Sequence, residues 1–283
     1  MIRYKIGIVG QGYVGKAISS FFLDKDVDLL TYDKFVSKTS NCNSLSKLVE
    51  LSEIIFICLP TPMKKNGECY TGIVEEVIND INDYATRNKI LVLKSTVPPG
   101  TSDKLNKDNK NISLIFNPEF LTEANFIEDF LNQKNIIIGG DEKHLSQVEE
   151  LYQTFFPNVS IRKTNAINAE MTKYILNTFL ATKVSFANEI KILCDRIGAD
   201  YDSVIELVCT DNRAGNSHWS VPGPDGKIGF GGSCFPKDIN GLLVFAESLG
   251  IEMEVIKSAI DVNLKLRPEK DWEKLKNRSV IDI

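Results

Sequence analysis

Short apolar runs alternate with amphipathic stretches through the first half of the chain. Lys5–Val9, Asp28–Tyr32, Ile54–Leu59, Ile90–Lys94, Leu114–Asn117 and Asn135–Gly139 predict buried strands, near-continuously apolar as a parallel sheet covered on both faces requires. Between them, Val14–Leu23 and Ile73–Thr86 carry helical spacing. Strands alternating with helices predict an α/β fold built on a doubly wound sheet. The character changes after Pro157. From Ala166 to Ile197 there is neither Gly nor Pro and apolar residues recur at helical spacing, with Gly198 placed to stop the helix. Such a helix spans about 48 Å at 1.5 Å per residue. It is either a plain core helix or a spine that joins the sheet domain to a helical one and pairs with a second subunit, and the spine is the expectation. The remainder reads as mostly helical. It is interrupted by the Gly-rich loop Pro222–Ser233, and Met253–Leu275 forms another long helix with Pro268 in its later part. Two domains are expected, 1–164 and 165–283.

Composition narrows the function classes. The chain has 283 residues, 43% apolar and 25% charged, which is ordinary for a soluble globular protein. A net charge of -5, with Lys and Arg scattered, argues against a nucleic-acid partner. Ile2–Val9 is short, holds two basic residues and runs into a glycine loop, unlike a secretory signal. No apolar run reaches the roughly 18 residues of a membrane span. The six cysteines show no CxxC pairing, so reduced thiols and a cytoplasmic location are expected, with no membrane partner and no metal.

Gly10-Gln11-Gly12-Tyr13-Val14-Gly15 is a GxGxxG placed after a strand and opening a helix. Gly10 makes the tight turn, Gly12 lets backbone amides approach a pyrophosphate, and Gly15 lets the helix pack close to the sheet. Asp33 ends the next strand, 23 residues past Gly10, where a carboxylate accepts from ribose hydroxyls. It would repel a 2′-phosphate, so NAD is expected over NADP, although Lys34 stands beside it. An ordinary βαβ turn without cofactor is the alternative.

Gly229-Phe230-Gly231-Gly232-Ser233-Cys234-Phe235-Pro236-Lys237-Asp238 is the most informative stretch. A lone Cys is usually a small core residue. This one follows three glycines, and Pro236 suits the first turn of a helix. A thiol at a helix N-terminus has its thiolate stabilised by the dipole and by a cation such as Lys237. Asp238 would lie in the first helical turns, able to hold a water or a substrate hydroxyl. From the residues alone, nucleophile and core thiol stand level. Lys173 and Asn177 share a helix face at i, i+4 and would suit a developing oxyanion, although spacing alone favours a solvated face.

Taken together, these motifs resemble the UDP-glucose/GDP-mannose dehydrogenase family over nearly the whole chain. The matching blocks are Gly10–Gly15, Leu59-Pro60-Thr61-Pro62, Ser95-Thr96-Val97-Pro98-Pro99-Gly100-Thr101, Asn117-Pro118-Glu119-Phe120-Leu121-Thr122-Glu123-Ala124, Lys173–Ala181 and the Cys234 loop. The resemblance implies a Rossmann-type NAD domain followed by a helical domain through which subunits dimerise. It implies oxidation of a nucleotide-sugar C6 alcohol to the carboxylate, with Cys234 forming a thiohemiacetal and then a thioester. Lys173 and Asn177 would stabilise oxyanions, and Asp238 would hold the water or accept a proton. Thr96 and one of Glu119 or Glu123 would activate the hydrolytic water, with the choice between the glutamates open. Around NAD it implies Gly10, Gly12, Tyr13, Val14, Gly15, Asp33, Pro60, Thr61, Thr96 and Glu123. Around the sugar nucleotide it implies Phe120, Leu121, Lys173, Asn177, Arg213, Phe230 and Gly231. With only His144 and His218, neither in a shared motif, catalysis should not depend on histidine.

Three departures from the family pattern stand out. The family's third domain, a second Rossmann-like unit that grips the nucleotide, is expected to be absent. The segment between Asp33 and Ile54 is short. Asn212–Asn216 resembles the family's arginine segment but is followed by an apparent insertion, His218–Lys227, which either reshapes the sugar pocket or is a surface loop; the loop is expected. UDP-glucose is the expected substrate, with GDP-mannose or a UDP-N-acetylhexosamine as alternatives. Other possibilities are a two-electron hydroxyacid dehydrogenase, against which Cys234 argues, and a catalytically impaired NAD-binding dimerisation module.

Overall fold

The computed structural model describes residues 3–283. The chain divides into two compact units: residues 1–61 with 71–173, and residues 62–70 with 174–283.

The first unit is a seven-stranded sheet in the order β2-β1-β3-β4-β5-β6-β7. Its strands are β1 (Tyr4–Val9), β2 (Val27–Tyr32), β3 (Ile54–Ile57), β4 (Lys89–Leu93), β5 (Ile112–Phe116), β6 (Asn135–Gly139) and β7 (Ser160–Thr164). Its helices are α1 (Tyr13–Phe22), α2 (Leu45–Leu51), α3 (Gly72–Tyr84), α4 (Thr101–Asp108), α5 (Phe126–Leu131) and α6 (Glu142–Phe155). The apolar runs have the two-faced burial expected of them. Ile6 and Ile8 of β1 pack with Phe22 and Leu151 on one side, while Ile55 and Ile57 of β3 pack with Leu48 and Ile78 on the other. Alternation along each strand feeds both cores at once.

Two features depart from the sequence expectation. β6 runs antiparallel to β5, so the sheet is mixed rather than wholly parallel. The link from β5 to β6 contains only the six-residue α5, whereas the 14-residue α6 returns the chain so that β7 is parallel to β6. β7 lies outside the predicted strands: its sequence SIRKT is polar and largely exposed, as suits an edge strand blunted by Arg162 and Lys163.

Helix α7 covers Ala166–Ile197, the bounds that its Gly- and Pro-free sequence predicts, and Gly198 follows with φ +76°. The first turn of α7 contributes Ala169 to the sheet unit's core. The second unit contains the remainder of α7 with α8 (Tyr201–Val208), α9 (Phe235–Ser248) and α10 (Glu254–Leu266). A small core of Ala181, Phe230, Ile239 and Ala259 holds it. The expected helix to Leu275 stops at Leu266. Arg267 leaves helical geometry, φ -130° and ψ 61°, because the residue before Pro268 is pushed out of the α region. Among the described residues no helix is long and apolar enough to cross a membrane.

Candidate functional site

In the sheet unit, the glycine turn links β1 to α1 with Gly10 at φ +94° and its N–H donating to Tyr32 O at 2.9 Å. A side chain at Gly15 would meet Gly10 O at 1.9 Å, so close helix packing demands glycine there. A Cβ on Gly12 would meet nothing within 4 Å, and α1 has no side-chain N-cap. Open space thus lies at the point where helix amides would face an anion. Asp33 anchors the turn: Oδ2 accepts from Gln11 N at 2.7 Å, and Oδ1 from Phe35 N and Val36 N at 2.8 and 2.9 Å. Three of a carboxylate's about four lone-pair sites are used, which leaves one for a ribose hydroxyl. These residues fit a dinucleotide. Tyr13 is partly exposed with its ring edge-on to Phe126 at 5.2 Å, and Val14 packs against the core. Buried Thr61 donates to Thr96 O at 2.7 Å, tying two of the expected cofactor residues together, while Pro60 is exposed.

Beyond β5, Glu119 and Lys173 form a buried pair. Lys173 Nζ donates to Glu119 O at 2.6 Å and to Oε1 at 2.9 Å, and lies 5.6 Å from the Phe120 ring. Leu121 N donates to Glu119 Oε2 at 2.8 Å. Burial pushes the Glu119 carboxyl up, but the Lys173 charge, the Leu121 amide and Lys94 outweigh it, so its pKa lies below the ordinary value. Glu123 is exposed on the following turn. Beneath this pair lies a group that sequence reasoning missed. Buried Lys94 donates to Asn117 Oδ1 at 3.0 Å, and Tyr152 donates to the same oxygen. Lys94 directly precedes the Ser95–Thr101 block, but an apolar strand gave no reason to single it out.

In the helical unit, Cys234 is the N-cap of α9, and Pro236 occupies its first turn. Asp238, buried one turn in, accepts from Asn177 Nδ2 at 2.5 Å through Oδ2 and from Lys237 Nζ through Oδ1. Burial alone would lower the Lys237 ammonium. The charges of Asp238, Cys234 and Cys69 outweigh that, and its pKa is raised above the ordinary lysine value. A cation so placed at a helix N-terminus favours the thiolate of its cysteine neighbour. The loop before Cys234 is strapped from two helices. Asn263 of α10 accepts from Phe230 N at 2.7 Å and donates to Phe230 O at 3.0 Å, and Asn188 of α7 accepts from Gly229 N at 3.2 Å. Phe230, expected near substrate, has its ring in the core of this unit. Arg213 is exposed and paired with Asp211 at 2.5 Å. Polar Asn263 amid an apolar helical pattern was the available sign of the strap.

The sheet unit thus holds a glycine turn between strand and helix with an acid ending the next strand, and the helical unit holds a cysteine capping a helix beside a Lys–Asp pair. Residues 35–156 match the UDP-glucose/GDP-mannose dehydrogenase family, NAD binding domain, and residues 167–265 match that family's central domain. The chain belongs to the UDP-glucose/GDP-mannose dehydrogenase family, and its sheet unit carries the family's NAD-binding domain. It is 34% identical to the UDP-glucose 6-dehydrogenase TuaD of Bacillus subtilis over 93% of its own length and 63% of that protein's. It thus spans less than two thirds of that relative. A UDP-glucose dehydrogenase from Pyrobaculum islandicum superposes with a TM-score of 0.86 at 30% identity, over 93% of this chain and 68% of that one. A 3-hydroxyisobutyrate dehydrogenase of Mycobacterium tuberculosis shares the fold alone: TM-score 0.77 at 17% identity, with 95% of each chain covered.

Proposed function

We propose that this chain carries out the NAD-dependent four-electron oxidation of a nucleotide sugar at C6, with UDP-glucose as substrate and UDP-glucuronate as product. The observation that carries the reading is the setting of Cys234, at a helix N-terminus beside a lysine whose proton is held by surrounding negative charge. The substrate is the one named for the Bacillus and Pyrobaculum relatives.

Gly10, Gly12 and Gly15 with Asp33 would hold NAD, Tyr13, Val14, Pro60, Thr61, Thr96 and Glu123 lying about it; bound there, NAD supplies hydride acceptance, twice per sugar. The Lys173 cation and the Asn177 amide stabilise the oxyanions formed at C6. Once the alcohol has become an aldehyde, the Cys234 thiolate adds to its carbon, forming the C–S bond of a thiohemiacetal. Loss of the second hydride gives the thioester. Water then adds, the C–S bond breaks, and the thiolate leaves a carboxylate. Overall, one alcohol, two NAD and one water give one carboxylate, two NADH and three protons. Glu119 is favoured over Glu123 as the base for that water, with Thr96 orienting it, because Glu119 is held against Lys173, which is assigned to the same reaction, while Glu123 is exposed. Asp238 positions Asn177 and Lys237. Phe120, Leu121, Arg213 and the Gly231 backbone are assigned to the sugar nucleotide.

Two copies would pair along α7. Ile175, Phe179, Phe186, Leu193 and Ile197, at steps of four and seven, are each half or more exposed and form an apolar stripe. The reading is tested by stoichiometry: two NADH formed per UDP-glucose consumed supports it. One NADH with a stable aldehyde points to two-electron chemistry. No turnover at millimolar UDP-glucose, with NAD still bound, points to a binding module.

A further inference from the structure

The segment His218–Lys227, expected to be a surface loop, is fastened down along its length. The His218 ring lies 5.6 Å from Phe235, the residue after Cys234, and Trp219 O accepts from Tyr201 at 2.6 Å. Lys227 Nζ donates to Asp271 at 2.7 Å and Glu269 at 3.4 Å. Asp225 accepts from Arg267 Nη2. Arg267 is 1% exposed, and its Nε and Nη1 have no hydrogen-bond partner. A buried guanidinium so sparsely satisfied is costly to desolvate. Among the described residues Asp225 is its one hydrogen-bonding carboxylate, since Asp271 lies 3.8 Å from Nη1. What the guanidinium touches on its other side is the cysteine loop. A Cβ on Gly231 would fall 1.8 Å from Nη1 and 2.9 Å from the guanidinium carbon. The planar group therefore lies directly against the backbone three residues before Cys234.

We infer that Asp225 is a positioning residue: it holds Arg267 against Gly231 and so fixes the backbone of the loop that ends on Cys234. The inference rests on the role proposed for Cys234. Asn188 and Asn263 strap the loop at Gly229 and Phe230; Arg267 is the contact at Gly231, nearer the thiol. A nucleophile whose backbone is held this way is pre-aimed, and its release degrades the chemical step rather than NAD binding.

Asp225 has a half-exposed side chain, 49%, and Asn keeps its shape and an acceptor for Arg267, so exchange of the α7 peptides reports whether the variant's fold stands. The full chain is prepared as wild type, Asp225→Asn and Asp225→Glu. Amide hydrogen exchange of the peptide covering 229–234 is measured, with kcat and KM for NAD and UDP-glucose. Asp225→Asn is expected to lose protection in that peptide while the α7 peptides exchange as in wild type. Its kcat should fall between about tenfold and about a hundredfold with KM for NAD unchanged. Asp225→Glu, which restores the charge, should recover protection and kcat. Wild-type exchange in Asp225→Asn overturns the inference, and so does faster exchange with unchanged kcat. If the wild type turns over no sugar nucleotide, the reading of function fails on its own, and the exchange comparison still decides whether Asp225 holds the loop.

Discussion

Asn177 Nδ2 donates to Asp238 Oδ2 across 2.5 Å, joining side chains 61 residues apart in sequence, both buried. The second oxygen of Asp238 is taken by Lys237. Asp238 is thus the shared acceptor of an amide and a cation, and removing it leaves an ammonium buried without its partner. Asp238→Ala should cost about 3–5 kcal/mol of stability, the penalty for breaking a buried pair from one side. Asp238→Leu combined with Lys237→Met should recover most of that, while abolishing turnover. Urea denaturation of the three proteins checks both statements.

Lys94 provides a pH signature. Burial pushes its ammonium down from 10.5 to about 8, with the charges of Glu119 and Cys58 opposing and that of Lys173 adding. Below about 8 the lysine is charged in both states, and the folded protein bears the full cost of burying the charge. Between about 8 and 10.5 the unfolded chain still holds a proton that the folded one has shed, so this group makes stability rise with pH. Lys94→Met should flatten that rise. Chemical denaturation of wild type and variant across the window reads the difference directly.

Asp33 should set the cofactor. Its carboxylate holds the Gln11 amide and leaves one acceptor site for a ribose hydroxyl. Hydrogen bonds to a charged group contribute about 1.5–3 kcal/mol. Asp33→Ala should therefore weaken NAD by about tenfold to a hundredfold and bring NADP closer to it in affinity, as titration calorimetry with both nucleotides would show.

Phe179 and Phe186 lie on the exposed stripe of α7. If two copies pair through it, Phe179→Asp should yield a monomer by sedimentation velocity, with the helix content of the wild type. A wild-type protein that sediments as a monomer would remove the pairing.

Much of this was legible in the sequence because local chemistry agreed with the tertiary outcome. The absence of Gly and Pro from Ala166 to Ile197 gave α7 its bounds, and period-free apolar runs located six of seven strands. β7 is hidden because an edge strand is written in charged residues, and the apolar pattern of α10 runs on past its end because Pro268 acts on the backbone of Arg267 and not on the pattern. Residues 62–70, which leave the sheet unit and return to it, carry the turn signal Asn66-Gly67, which marks a reversal of the chain but not the unit it belongs to. Cys234, Asp238, Lys173 and Asn177 are each marked in the sequence by their motifs. Their partners were harder to see, since pairs such as Lys173–Glu119 and Asn177–Asp238 join residues 54 and 61 apart. The Asp225–Arg267 pair spans 42 residues, so the tie that this exposed loop makes is not visible in its local sequence.

The central claim is that Cys234 carries the sugar between the two oxidations. The most direct measurement is product analysis of Cys234→Ala with UDP-glucose and NAD, by mass spectrometry against the wild type. The account predicts that the variant forms no carboxylate although it folds and binds NAD as the wild type does. Conversion of the alcohol to the acid by Cys234→Ala at the wild-type rate would contradict it.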